Sequence, residues 1–443
     1  MSIVVCSLFV VIFLWALASN PDLFSPAKFY LFSFLVFHLG ALSHEQPYEL
    51  WLLILLVLLV GATTVLFEAL SPLPARQRYP LKLRRRSDPE HFLIWIWGLS
   101  LPALMAEAYL VWKLGGLAAY VNIIGERVIE FRGYGAAITV SGWLVTFNLA
   151  YFAIGLTRTR SALWWSAYGV HFLTALAVGL LSGSRSGFLT LFVLQLFCYH
   201  YIRGKVRLTH AVPIAVVLVF AALLLGMVRN AVKVEDGAVS VGGLDNNNHT
   251  RSLEYGTFQY GVQPLQILLN ADYVKPVYGM TLVSVVTNVV PREWWPDKPD
   301  TGGVFFTKQY THNAWGGASN LTPTLLGEGI INFGWTAGIA LYFLVYPLLM
   351  YFVVVYYRRV IVWARGEGGP AGAIEVALYV CVMWAAVGLM VAEVTTTVQS
   401  LLMGRILPLL LLKAVLGMRM RPMRQANGGR PPRALIGRRP SGA

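Results

Sequence analysis

The chain has 443 residues, of which 57% are hydrophobic and 13% charged, with a formal net charge of +14. A mean hydropathy of +0.61 and apolar runs of about 18 residues or more exclude a soluble globular domain and specify a polytopic membrane protein. The basic residues lie in short loops and in the C-terminal tail. Positive-inside topology accounts for them there, and no nucleic-acid partner is implied.

Apolar runs predict spans at 2–19, 27–43, 49–70, 91–113, 136–155, 162–182, 187–202, 211–228, 330–357, 371–393 and 400–418. The expected fold is an all-α polytopic membrane protein of about eleven transmembrane helices, within a range of about 10 to 12, carrying one large extracytoplasmic loop. The run from Ser2 to Ser19 has no basic segment before it and no small-residue cleavage signal after it, so it reads as a retained helix. Cys6, Cys198 and Cys381 each lie inside an apolar run, which indicates neither a disulfide frame nor a metal site.

Orientation follows from Lys and Arg. The 71–90 loop holds Arg76, Arg78, Lys82, Arg84, Arg85 and Arg86, and the tail from Arg419 to Arg439 holds seven arginines and no acid. Both are expected to be cytoplasmic, as are the loops with Arg158/Arg160, Arg203/Lys205/Arg207 and Arg358/Arg359/Arg365. The N-terminus is then outside. Four organisational units result: helices over 1–228, a large outer loop over 229–328, helices over 329–418, and a disordered basic tail over 419–443. The remaining outer connections are 44–48, 114–135, the turn Gly183–Ser186, and the turn Val394–Gln399.

Within the large loop, 229–251 is polar and expected to be mobile, 252–269 is amphipathic, and Tyr278–Val290 is too short to span. That last run suits a helix lying in the interface or packed on the bundle, with Trp294 and Trp295 at headgroup level. Pro291, Pro296 and Pro299, with Gly302-Gly303 and Gly316-Gly317, predict an irregular, folded-over loop up to Gly329. This stretch mixes Arg292, Lys298, Lys308, His312 and Glu328 with Trp294, Trp295, Tyr310 and Trp315. It is where polar chemistry concentrates in an otherwise apolar chain.

Ionisable residues in or at the ends of spans are costly and so are functional candidates. Arg185, in Ser-Gly-Ser-Arg-Ser-Gly, can present its guanidinium and neighbouring backbone N–H groups to a phosphate, or can snorkel to headgroups as a turn cap. Arg292, Lys298 and Lys308 put positive charge at the outer leaflet, where they bind phosphate or solvate a helix end. Arg229, Arg127 and Arg132 are further interfacial cations. Glu328 is a candidate general base with His312 second, and the alternative for Glu328 is a helix N-terminal cap. Glu393 and Arg405 either pair with each other or line a cavity. Glu107 and His171 are expected to be satisfied within the bundle. There is no P-loop, no His-Glu-x-x-His, no Gly-x-Ser-x-Gly and no Asp-x-Asp, and an outer site has no access to nucleotide donors, so an enzyme here would use lipid-linked substrates.

The Ser-Gly-Ser-Arg-Ser-Gly turn, followed by Pro-Arg-x-x-Trp-Pro-x-Lys-Pro, Thr-Pro-Thr-Leu-Leu-Gly-Glu and Asn-Phe-Gly, resembles the Wzy-type polymerases of O-antigen and enterobacterial common antigen repeat units over roughly residues 160–345. The resemblance implies a metal-independent, cofactor-free membrane glycosyltransferase similar to the lipid-donor GT-C type, in the bacterial inner membrane with its active site facing the periplasm. It implies transfer of a growing glycan from undecaprenyl pyrophosphate onto a new lipid-linked repeat. A chain-length regulator and a flippase of the same pathway are the implied protein partners. Arg185 and Arg292 would bind pyrophosphate, with Arg229, Lys298 and Lys308 assisting, and Trp294, Trp295, Tyr310 and Trp315 would stack on sugars. Family members often have twelve spans with both ends inside, and eleven departs from that. The alternatives are an O-antigen ligase, which transfers finished polymer to lipid A core, and a flippase or transporter of lipid-linked oligosaccharide. A transporter, however, tends to show inverted repeats and short loops.

Overall fold

A computed structural model describes residues 1–42, 45–70, 91–123, 130–131, 133–158, 161–181, 185–235, 238–241, 257–288, 290, 294–311, 321–364 and 369–416, in places through the backbone alone. In chain order the helices are α1 (Ser2–Ser19), α2 (Pro26–His38, extended by a 3-10 turn Leu39–Leu42), α3 (Tyr48–Leu70), α4 (His91–Lys113), α5 (Leu117–Ile123), α6 (Gly135–Ser141) and α7 (Trp143–Arg158). They continue as α8 (Ala162–Leu181), α9 (Arg185–Ile202) and α10 (Leu208–Ala231). A two-stranded antiparallel hairpin follows, β1 (Val232–Glu235) with β2 (Ala238–Val241), in the register Val232 to Val241. Then come α11 (Gln263–Leu269), α12 (Met280–Thr287), α13 (Gly302–Tyr310), α14 (Thr324–Ala364), α15 (Gly369–Gly388), α16 (Val394–Leu401), a π-helical turn Leu402–Ile406, and α17 (Leu407–Val415).

Eight helical segments among the described residues are long and apolar enough to cross a membrane: 2–19, 48–70, 92–113, 135–157, 162–181, 324–361, 369–388 and 394–415. Three shorter apolar helices, 26–42, 187–202 and 208–221, coincide with the other predicted runs. The chain is thus a helical membrane protein. Its centre is α15, which packs against α7, α14 and α9. The reason is legible in its composition, because Gly372, Ala373, Ala377, Cys381 and Ala386 are buried along it and small residues let neighbouring helices approach closely.

Several expected boundaries move. The 229–251 segment contains the tail of α10 and the β-hairpin, whose first strand lies against α5, so two of the predicted loops meet. The stretch after Pro299 is helical over α13 and not irregular throughout, and the predicted turn Val394–Gln399 is the helix α16. The predicted span 330–357 starts earlier, at Thr324, and is broken at Gly334, where φ is 77° and ψ is 175°. Only glycine takes that conformation without strain. The chain folds back there so tightly that a Cβ on Gly338 would lie 2.5 Å from the Gly329 carbonyl carbon. The first arm, up to Phe333, ends with its Ile331 and Asn332 carbonyls accepting from Val277 N (3.1 Å) and Tyr278 N (2.8 Å), which satisfies carbonyls that a helix terminus leaves open.

The bundle has two distinct ends. At one end, the described residues between 257 and 311 return over the helix termini: Gly261 N donates to Phe37 O (3.1 Å) and Gln266 Nε2 to Gln46 Oε1 (2.5 Å). We refer to it as the loop end. The opposite, basic end gathers the α1–α2 connection, the close of α9 before Arg203, Lys205 and Arg207, and the α14 segment with Arg358 and Arg359.

Candidate functional site

The loop end is organised by two acids. Glu328, in the first arm of α14, is completely buried. Its Oε1 accepts from Thr281 Oγ1 (2.9 Å) and its Oε2 from Val394 N (2.7 Å). Val394 opens α16, so the carboxylate lies against the free N–H groups and positive dipole end of a helix other than its own. The N-terminus of its own helix is capped by Thr324, whose Oγ1 accepts from Gly327 N (3.1 Å). Glu393 does the converse. It precedes α16 and accepts a hydrogen bond from Gly303 N at the start of α13, and the hydroxyls of Thr301 and Thr396 also bond to it. Burial raises its carboxyl above the ordinary value of 4.5, and the hydrogen bonds only partly offset that.

Gly302 and Gly303 are the contact point. A Cβ on Gly302 would lie 2.6 Å from Glu328 Oε1 and 3.2 Å from Glu393 Oε2. Both carboxylates therefore close on the same turn of α13, and only a residue without a side chain admits them. The predicted use of Gly302-Gly303 as a sharp turn is replaced by this close approach. Around the pair, α12 is stitched to its neighbours through short polar groups. Asn332 Nδ2 donates to Thr281 Oγ1 (2.7 Å) and to Glu328 O (2.8 Å). Ser284 Oγ lies 2.6 Å from Thr395 Oγ1, and Asn288 Nδ2 donates to Gln399 Oε1 (2.7 Å). Thr281, Ser284 and Thr395 were not singled out from the sequence, and Asn332 entered only as the first residue of the Asn-Phe-Gly motif. Asn332 had a signal, since it stands four residues after Glu328 and shares its helical face.

The other predicted residues sit as follows. Lys298 is buried, and its Nζ donates to Val290 O (2.6 Å) and Asn288 O (3.2 Å), closing the C-terminal end of α12. Lys308 is exposed on α13 and pairs with Asp300 at 2.6 Å. Trp294 is 80% exposed and Trp295 43%, so both rings are free to meet a ligand. Tyr310 is half-buried against Phe305 and Phe306, and burial raises its hydroxyl above the ordinary value. Arg185 is the first residue of α9, and Arg229 lies in the last turn of α10; their side chains are outside the described part of the structure. Arg292, His312, Trp315, Arg127 and Arg132 lie outside the described residues.

Glu393 and Arg405 do not pair. Glu393 faces Gly303, whereas Arg405 Nη1 donates to Thr146 Oγ1 (2.9 Å). The reason is their separation along the chain, since the whole of α16 stands between them. Glu107 accepts from Ser141 Oγ (2.6 Å) and Tyr120 OH (3.2 Å), as expected of a satisfied acid. His171 is held in a one-way chain: Tyr168 to Gln195, Gln195 to Asn148, Asn148 Nδ2 to His171 Nδ1 (3.0 Å), and His171 Nε2 to Ser100 Oγ (2.9 Å). That order puts the ring proton on the serine side, so the Ser100–His171 contact is structural and not an activated nucleophile.

Chemically, this end offers a rigid platform. Exposed Trp294, Trp295 and Lys308 are carried on elements locked to the bundle through Glu328, Glu393 and Lys298. Comparison with known proteins finds no family model, no curated protein and no solved structure that matches the chain.

Proposed function

We propose that the protein is a glycan polymerase of the inner membrane that moves a growing oligosaccharide from its polyisoprenoid diphosphate onto the non-reducing sugar of a new lipid-linked repeat. The observation that carries this reading is the docking of α12 and α13 onto the helix ends through Glu328 and Glu393. It holds exposed aromatic and cationic side chains on one platform at the helix ends, which supports a role in meeting a lipid diphosphate and its first sugars. The resemblance of the Arg185 turn and of the 291–334 motifs to Wzy-type polymerases supports the same assignment. Positive-inside counting supports a periplasmic loop end.

In the reaction, the bond between the anomeric carbon and the diphosphate oxygen breaks, the acceptor hydroxyl oxygen bonds to that carbon, and its proton passes to a base. The main demand is stabilisation of charge on the departing diphosphate. An Arg about 4 Å from a phosphate charge supplies about 4 kcal/mol at an effective dielectric near 20, before desolvation costs. The cations assigned to this task are Arg185 and Arg292, with Arg229 and Lys308 assisting. The engaged carboxylate of Glu328 suits it to positioning the platform, which leaves His312 as the candidate base. Trp294, Trp295, Tyr310 and Trp315 are the assigned sugar-stacking groups.

The test is extension in vitro. Purified protein in nanodiscs is given lipid-linked repeats extracted from cells of the source organism lacking this chain, and products are resolved by size. A ladder of added repeats is expected, lost in Arg185→Ala and Arg292→Ala variants that keep the wild-type melting temperature. Repeats that stay monomeric with active-folded protein, or that cross a bilayer without being joined, would sink the polymerase reading.

A further inference from the structure

A helix on the surface of a soluble domain turns its apolar side inward, and α12 does the opposite. Thr281, Ser284 and Thr287 are buried, whereas Met280, Val283 and Val286 are 56%, 52% and 73% exposed. A spacing of three puts each set on one stripe of the helix. The inward stripe is held to α16 by polar bonds. Thr395 Oγ1 donates to Thr281 O (3.2 Å) and lies 2.6 Å from Ser284 Oγ. Gln399 Nε2 donates to Val285 O (3.3 Å), and its Oε1 accepts from Asn288 Nδ2 (2.7 Å). As the chain advances from 281 to 288, its partners advance from 395 to 399, so the two helices run side by side in the same direction.

That direction sets a depth. α16 opens the apolar segment 394–415, whose 22 residues are close to what the hydrocarbon of a bilayer requires. Gln399 lies about 7.5 Å of helix into that segment, and the exposed side chains Leu402 and Met403 follow within a turn. The far end of α12 therefore stands beside hydrocarbon-level turns, although α12 belongs to no span. The backbone aims it there. Tyr278 and Gly279 have left-handed φ values of 51° and 84°, which costs energy at the tyrosine. Their turn is bonded through Val277 N and Tyr278 N to the end of the first arm of α14. The Tyr278 ring is left 84% exposed at the mouth of the helix, and a ring with an apolar body and a polar tip favours the membrane–water boundary.

We propose that α12 is a lipid-seated helix, with its Met280, Val283 and Val286 stripe inserted among the acyl chains of the leaflet at the loop end and its polar stripe sealed against α16. In water the arrangement would expose the apolar stripe and bury the hydroxyls, which is the wrong way round. Against hydrocarbon both stripes are satisfied. An insertion of about 5–10 Å is usual for a helix lying at a membrane boundary, and the depth of Gln399 falls in that range. A protein partner fits less well, because two turns of helix fall far short of the about 800 Å² per partner that a stable interface buries. Thr281 also bonds to Glu328, so the seat ties the acid-held platform to the bilayer, and lipid as well as the bundle sets the depth of the loop end. The seat is independent of the proposed reaction.

The experiment measures spin-label accessibility in full-length protein in phospholipid nanodiscs, in a Cys6→Ser background, since Cys198 and Cys381 are buried. Labels on Val283→Cys and Val286→Cys are compared with Leu410→Cys, on the exposed side of the last apolar segment, and with Asp272→Cys, exposed in the connection before α12. Oxygen concentrates in hydrocarbon and a nickel chelate in water. The oxygen-to-nickel accessibility ratio at 283 and 286 is expected to lie severalfold above that of Asp272→Cys and close to that of Leu410→Cys. A ratio equal to that of Asp272→Cys would place the stripe in water and overturn the proposal. Labels shielded from both reagents would place a protein partner or a second copy there and overturn it as well. Where a cysteine variant does not fold, the wild-type protein is irradiated with a phospholipid carrying a mid-chain diazirine and the adducts are mapped by mass spectrometry. Adducts on Met280–Val286 are expected, and adducts on Leu402–Leu411 with none on α12 would overturn the seat.

Discussion

At each end of the bundle a pair of buried carboxylates is neutralised in a different way. At the basic end Asp22 accepts from His200 Nε2 (2.7 Å) and Tyr357 OH (2.8 Å), and Val206 N donates to His200 Nδ1 (3.0 Å), which holds the ring proton toward the acid. Glu68 accepts from Asn20 Nδ2 (2.9 Å) and Ala27 N (2.8 Å). Two cations close the cluster. Lys28 Nζ donates to Asp22 O (2.7 Å), and Arg358 Nη2 to Glu68 O (2.7 Å). At the loop end Glu328 and Glu393 have only backbone N–H groups and hydroxyls as described partners. Lys28 and Arg358, bound to neighbouring carbonyls, put positive charge beside the first pair and favour its charged form, whereas carboxylates held by helix N-termini and hydroxyls alone tolerate a proton more readily. The first arrangement suits a fixed joint and the second an attachment that can loosen.

The largest effect is therefore expected at the basic end. Asp22→Ala strands the buried His200 N–H, the Tyr357 hydroxyl and the Phe24 N–H. It should cost about 3–5 kcal/mol, read as a fall in melting temperature in detergent. A loss below about 1 kcal/mol would remove the contrast between the ends. Next comes Gly302→Ala, which drives a methyl group into the Glu328 and Glu393 oxygens. About 1–3 kcal/mol is expected, with faster protease cleavage confined to the α13 region. Gly98→Ala is the control, because a Cβ there meets nothing within 4 Å and an added methyl favours the helix by up to about 1 kcal/mol.

The ends differ in how far the sequence announces them. The spans are legible because an apolar run of sufficient length carries its own signal, and Tyr278–Val290, too short to span, holds the short helix α12. The break at Gly334 is not legible, since hydropathy registers composition and passes through a single residue of left-handed φ. Glu328 stood out as a charge at a span end and Lys298 as a cation of the outer loop, but Glu328 bonds to the Thr281 hydroxyl and the bare N–H of Val394, and Lys298 to the Val290 and Asn288 carbonyls. None of those differs in type from a hundred other residues. The basic-end cluster was missed altogether. Lys28 and Glu68, one at each end of an apolar run, carried the signal, and positive-inside counting weighs loops and passes over it.

Third in size is the response to pH, where the two ends should move in opposite senses. Glu393 holds its proton more tightly when folded than its ordinary value of 4.5 allows. Its contribution is therefore full below that value and is lost as pH rises through the raised folded value. Asp22 is the reverse. Burial pushes it up, but the hydrogen bonds from His200, the Tyr357 hydroxyl and the Phe24 N–H outweigh burial and leave it below 3.8. Its contribution is full above that value and fails as pH falls through the depressed one. Hydrogen exchange should quicken over Gly303–Tyr310 as pH rises above 4.5, after correction for intrinsic exchange, and over the α1–α2 connection only as pH falls below 3.8. Glu393→Gln should cost under about 1 kcal/mol and abolish the first response while leaving the second. A Gln variant that retains it would show that the attachment of α13 loosens through another group.

The smallest change tests whether the platform's surface differs in kind from its anchors. Lys308 is 56% exposed in its pair with Asp300, and an exposed pair of this sort contributes about 0–1 kcal/mol. Lys308→Ala should leave the melting temperature within error, since the α13 attachment runs through Gly303 and Glu393 on the opposite side of the turn. If the cation serves the departing diphosphate, the same variant lowers the rate of glycan extension, and the loss shrinks as ionic strength rises because exposed charges are screened. Stability and activity would then separate at Lys308, whereas Gly302→Ala would lower both. A Lys308→Ala protein with wild-type rates would confine the diphosphate's cations to the arginines.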